Sequence, residues 1–152
     1  MKPWQPLRDE LAAWRRAGHS ATLWWRNDGV GAPEPALERL LALAQAHSVP
    51  LALAVIPARA SRELRGLMPS YPRFHLLQHG IEHKNRAPPP NAPLELGGPG
   101  APQSLLIGLA GAHARLQALG SRRTLPVLVP PWDRLDARMV DLLAQLGYRG
   151  LS

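Results

Sequence analysis

The chain holds 152 residues, 45% of them apolar, with a formal charge of +7 at neutral pH and no cysteine. This is enough apolar sequence for one domain with a real core, and too much for a disordered chain. The absence of cysteine excludes disulfides, thiolate metal sites and cysteine nucleophiles, so a metal here has only His, Asp and Glu to hold it.

Leu7, Leu11 and Trp14, with Trp4 ahead of them, recur at helical spacing and predict a first helix that Gly18 ends. Ala21 to Trp25 is a short apolar, aromatic-rich run that reads as a first strand. Pro35 suits the first turn of a second helix, whose apolar face is Leu37, Leu40, Leu41 and Ala44. Leu51 to Ile56 is continuously apolar and closed by Pro57, as expected of a strand covered on both faces. A short helix over Ser61 to Met68 and a third strand over Phe74 to Leu77 follow. The Pro/Gly-rich stretch from Ala87 to Pro102 reads as a loop, and Ser104 to Leu119 as a helix weakened by Gly108 and Gly111. Val127 to Val129 is a fourth strand, Ala137 to Leu146 a helix stopped by Gly147, and Tyr148 to Leu151 the beginning of a fifth strand.

Strands alternating with helices imply an α/β fold with a parallel sheet. Five strands are too few for a closed eight-stranded barrel. The sequence stops at Ser152, beside its last strand, so the expectation is a single domain over 1–152: a partial or distorted (β/α) barrel lacking its C-terminal strands.

Charge and hydropathy narrow the function. Sixteen of the 18 basic residues are arginines, scattered from Arg8 to Arg149 in runs of at most two, with no interleaved aromatics and no zinc-finger spacing. That pattern predicts a solvated basic surface and no nucleic-acid partner. The longest apolar run, Val49 to Pro57, falls well short of the roughly 20 residues of a membrane span, and the N-terminus lacks the apolar stretch of a signal peptide. The expectation is a cytoplasmic protein with no membrane partner.

In parallel α/β folds chemistry collects beyond the carboxyl ends of the strands. Three strands here run into polar sequence: Arg26-Asn27-Asp28-Gly29, Gln78-His79-Gly80-Ile81-Glu82-His83, and Pro130-Pro131-Trp132-Asp133-Arg134. Two histidines four residues apart can converge on one metal from a compact loop, and a strand-end carboxylate such as Asp28 would complete a site with a position open to water. The other histidines have plainer readings: His47 at a helix C-terminus, His19 and His113 on the surface, His75 as a sheet residue. Trp24 and Trp25 should point to opposite faces of their strand. Trp132 suits either the lining of a substrate cleft or a packed loop.

The order Asn27-Asp28-Gly29, then His79-x-x-x-His83, then Pro130-Pro131-Trp132 resembles the polysaccharide deacetylases, carbohydrate esterases related to the chitooligosaccharide deacetylase of nodulation. The resemblance spans residues 21–151 and rests on three short motifs, in order and at strand ends. It implies a distorted (β/α) barrel acting on acetylated carbohydrate, with a divalent metal, zinc above all, held by Asp28, His79 and His83. It places Pro131 and Trp132 against the substrate and puts the catalytic base at Asn27. An amide cannot accept a proton from water, so that role is lost as written. Val129 stands where the family has an arginine that orients the base, and the family's late catalytic histidine would fall beyond Ser152.

Two alternatives stand beside a metal-dependent deacetylase. One is a degenerate domain that binds metal or glycan without turnover, to which Asn27 points. The other is a zinc protease, because His79 to His83 also spells H-x-x-E-H. That motif needs a long helix, which Gly80 and Pro88 to Pro90 argue against.

Overall fold

The computed structural model describes residues 3–98, 102–120 and 122–152. Its elements run α1 (Gln5–Arg16), β1 (Arg26–Val30), α2 (Pro35–Ala46), β2 (Leu51–Val55), α3 (Leu64–Leu67), β3 (Phe74–His79), α4 (Pro102–Gly120), β4 (Thr124–Val129), α5 (Ala137–Gln145) and β5 (Gly150–Leu151). The five strands form one sheet in chain order, β1-β2-β3-β4-β5, and every pairing is parallel. The expected α/β class and parallel sheet are present.

Strand β2 shows why its sequence is apolar throughout. All five residues are buried, but the two faces carry different sizes. Leu51, Leu53 and Val55 pack with Leu37, Leu41, Leu64 and Leu116 under the helices. Ala52 and Ala54 turn to the other face, with Leu77 and Val129. A second helix-side cluster joins Leu109 of α4, Leu128 of β4, Met139 and Leu143 of α5, and Tyr148.

The small-residue face is the inside of a curl. Four strand spacings of about 4.8 Å would put about 19 Å between the outer strands of a flat sheet. Yet Nη1 of Arg26 in β1 donates to Ser152 Oγ, just after β5, at 2.8 Å. One arginine side chain reaches across only because the sheet bends into part of a barrel wall. Arg26 pairs in register with Ala52 and Asp28 with Ala54, so both belong to this inner face.

Two expectations need correction, those for the first strand and for His113, while the first helix is present as expected. The first strand is Arg26–Val30, not Ala21 to Trp25, because β1 is held by Trp25 and Val30 at its ends while its middle carries polar residues. In α1 no residue is buried. Trp4, Leu7, Leu11 and Trp14 stay exposed, and side-chain bonds one turn apart, Gln5 to Asp9 and Trp14 to Glu10, brace the helix. His113 is half-buried instead of superficial, its ring edge-on to Tyr148 with centroids 5.5 Å apart. Part of the predicted loop, residues 99–101, lies outside the described residues. Among the described residues no helix is long and apolar enough to cross a membrane.

Candidate metal and carbohydrate site

His79 is the last residue of β3 and pairs in register with Val129 of β4, so its side chain shares the inner face with Leu77. It is buried, and its Nδ1 lies 3.1 Å from the carbonyl oxygen of Val129. A carbonyl only accepts, so Nδ1 carries the proton and the Nε2 lone pair is left for a cation. Burial pulls the His79 pKa below its ordinary value, against the upward pull of the Val129 carbonyl and the nearby Asp28 charge. The ring is therefore neutral at pH 7, the form that ligates metal.

Beyond β3 the chain turns back sharply. Gly80 and His83 both have φ of +59°, and at the end of β4 Trp132 and Asp133 have φ of 56° and 54°. Left-handed backbone at three non-glycine residues is strained and is found where surrounding contacts overrule local preference. The result is a row of mutually tilted rings: His79 and His83 centroids are 4.9 Å apart with planes at 45°, and His83 and Trp132 are 4.4 Å apart at 53°.

The group that holds this turn is Glu95. Its carboxylate is fully buried and accepts from three backbone N–H groups: Glu82 at 2.8 Å, Ile81 at 3.1 Å and Lys84 at 3.2 Å. Gly80 makes room for it, since a Cβ there would collide with Glu95 Oε2 and come within 2.6 Å of Pro131. Pro131 is buried, which makes it a wall behind the turn with little surface for a ligand. Gln78, also fully buried, donates to the carbonyl of Gly80 at 3.0 Å and accepts from the Tyr148 hydroxyl on the helix side. Tyr148, raised well above the ordinary phenol pKa by burial, stays a donor. None of Glu95, Gln78 and Tyr148 stood out in the sequence. The available signal was a lone acid between leucines, Leu94-Glu95-Leu96, inside a Pro/Gly-rich stretch.

Arg26 was missed as well, and it occupies the middle of the site. Its Nε and Nη2 grip Asp28 at 2.6 and 2.9 Å, and Nη2 lies 3.6 Å from Asp133. Asp28 is thus on the same face as His79 but committed to a guanidinium. Among the described residues no three His, Asp or Glu side chains are gathered closely enough to hold a metal ion.

Asn27 is elsewhere. It pairs in register with Leu53, a helix-side residue, and Trp25 two positions earlier packs into the same helix-side core. The pleat therefore turns Asn27 away from His79, and it lines a cleft with Gly31, Glu34, Leu37 and Leu40. Val129 is fully buried and supplies the site with its carbonyl alone.

The donors still suit a divalent metal. Two imidazoles lie with centroids 4.9 Å apart, one with its tautomer fixed by a carbonyl, and a carboxylate sits on the same face. His79, His83 and Asp28 are the residues that would hold it, with Asp28 released from Arg26.

No family profile matches the sequence, and no curated protein matches it. Solved structures do. A CE4 family pseudoenzyme from Bacillus anthracis superposes with a TM-score of 0.65 at 12% identity, over 84% of this chain and 41% of that one. A mutant of that pseudoenzyme with restored enzymatic activity gives 0.63, also at 12% identity, over 84% and 42%. A family 4 carbohydrate esterase from Streptomyces lividans, in complex with acetate, gives 0.60 at 14% identity, over 87% and 61%. The Streptococcus pyogenes deacetylase PplD, also with acetate, gives 0.63 at 11% identity, over 97% and 62%. The chain thus spans about 41% to 62% of the length of these relatives. At this identity what the likeness carries is architecture: the chain has the fold of the CE4 carbohydrate esterases, represented here by five parallel strands of a (β/α) barrel.

Proposed function

We propose that this chain is a carbohydrate deacetylase-type domain with weakened catalysis: it binds a divalent metal, zinc above all, and an acetylated sugar, and hydrolyses slowly. The observation that carries this reading is the row of tilted rings of His79, His83 and Trp132 at the ends of two parallel strands, on the face that also carries Asp28. A divalent ion held there supplies Lewis acidity toward an acetyl carbonyl and lowers the pKa of water. His79 and His83 bind and orient, and Glu95 keeps their turn in place. The indole of Trp132, half-exposed beside His83, gives an apolar face for a sugar ring.

What is short is carboxylate. A deacetylase of this kind needs one acid as ligand and another as base. On the inner face of β1 there is Asp28 alone, since Asn27 is an amide and faces the helices. A chain with one carboxylate for two roles should retain binding longer than turnover. The second reading, binding without turnover, is favoured by the same observation, and one of the similar structures is itself a pseudoenzyme.

Deacetylation of an acetylated chitooligosaccharide, followed by acetate release with and without zinc, tests both readings. Asp28→Asn should abolish whatever zinc-dependent rate exists. Asn27→Asp should change it by less than about two-fold, because the new carboxylate would face α2. A general base recovered in the site would instead give a rise of about 10²–10⁴. A rise of that size would show that Asn27 reaches the inner face. A wild-type chain that binds zinc but releases no acetate would leave the binding reading standing alone.

A further inference from the structure

We propose that Arg26 is a resident counter-cation that competes with metal for Asp28, and that Asp133 is the place to which it withdraws. This rests on the reading of His79, His83 and Asp28 as metal ligands. Arg26 is the more enclosed partner, its side chain 19% exposed against 41% for Asp28 and 80% for Asp133. It holds both Asp28 oxygens in a two-pronged grip, at 2.6 and 2.9 Å. A divalent ion brought to the two imidazoles needs one of those oxygens and is repelled by the guanidinium already on them.

The neighbouring geometry offers a way out. Nη2 of Arg26 is already 3.6 Å from Asp133 Oδ1, so a small rotation exchanges one exposed carboxylate for another. Nη1 is anchored on Ser152 Oγ at 2.8 Å, which keeps the guanidinium between the two acids. Asp133 follows Trp132 in the strained turn after β4, so the withdrawal position belongs to the segment that would meet the sugar. The site therefore has two states, Arg26 on Asp28 without metal and Arg26 on Asp133 with it.

Zinc titration by calorimetry on the folded chain, with circular dichroism as a fold check, reads this directly. The variants are Arg26→Gln, Asp133→Asn, their combination, and His79→Ala. Arg26→Gln should tighten zinc about five-fold, the equivalent of one exposed ion pair of good geometry. Asp133→Asn should weaken zinc about two- to three-fold in the natural background and have no effect once Arg26 is gone. That loss of effect separates withdrawal from simple attraction, because a carboxylate acting on the metal by charge alone would matter equally in both backgrounds.

An unchanged or weaker affinity in Arg26→Gln overturns the proposal, as does an Asp133→Asn effect that persists without Arg26. If His79→Ala removes zinc binding in those cases, the metal reading survives and only the role of Arg26 fails. If no variant binds zinc, both fall.

Discussion

At the scale of single residues, the sharpest contrast is between a buried imidazole and a half-buried one. His79 is enclosed and satisfied by the Val129 carbonyl, whereas His113 Nδ1 has no hydrogen-bond partner among the described residues. Its other nitrogen lies 3.2 Å from Gln117 Nε2, and burial alone lowers its pKa below the ordinary value. The sign of the effect on stability follows. The unfolded chain takes up a proton near pH 6.5 and the folded chain resists it, so stability is intact above about pH 6.5 and declines as pH falls toward the folded pKa. Thermal melts between pH 7.5 and 5 should show this decline, and His113→Gln should make it shallower while leaving the melt at pH 7.5 nearly unchanged. A slope identical in that variant would assign the acid sensitivity to other groups. His113 shows why side-chain environment was hard to foresee: nothing at its place in α4 marks the helix side that meets Tyr148.

At the scale of elements, the turn after β3 depends on one glycine and one buried acid. Gly80→Ala adds a left-handed residue with a Cβ, costing about 1–2 kcal/mol, and drives it into Glu95 and Pro131, adding about 1–3 kcal/mol. Gly29→Ala is the control, since Gly29 also has positive φ (+77°) but nothing within 4 Å of a Cβ. Urea unfolding should give the Gly80 variant the clearly larger loss, and equal losses would mean that Glu95 yields freely. The helices and central strands were legible because period and burial agree there, as in Leu51 to Val55 and in Leu37, Leu41 and Ala44 of α2. That the two histidines lie close together followed from their spacing and their place directly after an apolar strand. β1 was misplaced because an edge strand that carries polar site residues has no apolar run to announce it. Asn27 and Asp28 are neighbours in sequence on opposite faces of that strand, and one-residue parity cannot be fixed without knowing where the strand starts. Glu95 was hidden for a different reason, since its partners Ile81, Glu82 and Lys84 are brought near only by folding. Arg26 meets Asp28 two residues along its own strand and was hidden with the strand itself.

At the scale of the whole molecule, the positive charge is spread over the outside as expected. Among the described residues the ion pairs engage only Arg26, Arg86 and Arg138, while Arg62, Arg65 and Arg115 line one open cleft on the helix side. Such a surface attracts polyanions without reading them. Duplex DNA should bind weakly at about 50 mM salt and release by about 200 mM, with no preference between sequences. Tight, sequence-selective binding at the higher salt in a fluorescence-anisotropy titration would contradict the carbohydrate reading. The strand order has a consequence of another kind. Because β1 to β5 are neighbours in the order in which they are synthesised, each strand leaving a ribosome can dock on one already in place. The wall can grow from its first edge without waiting for distant partners, which keeps the entropy of loop closure small at every step. The contacts of Arg26 with Asp133 and with Ser152, the latter 126 residues away, and that of Tyr148 with Gln78 are among the exceptions. A nascent chain halted before β4 would carry Asp28 and both histidines on a partly formed wall, with neither Trp132 nor Asp133 yet beside them. The face that carries His79 and Asp28 is therefore completed only once β4 and the turn after it have been added.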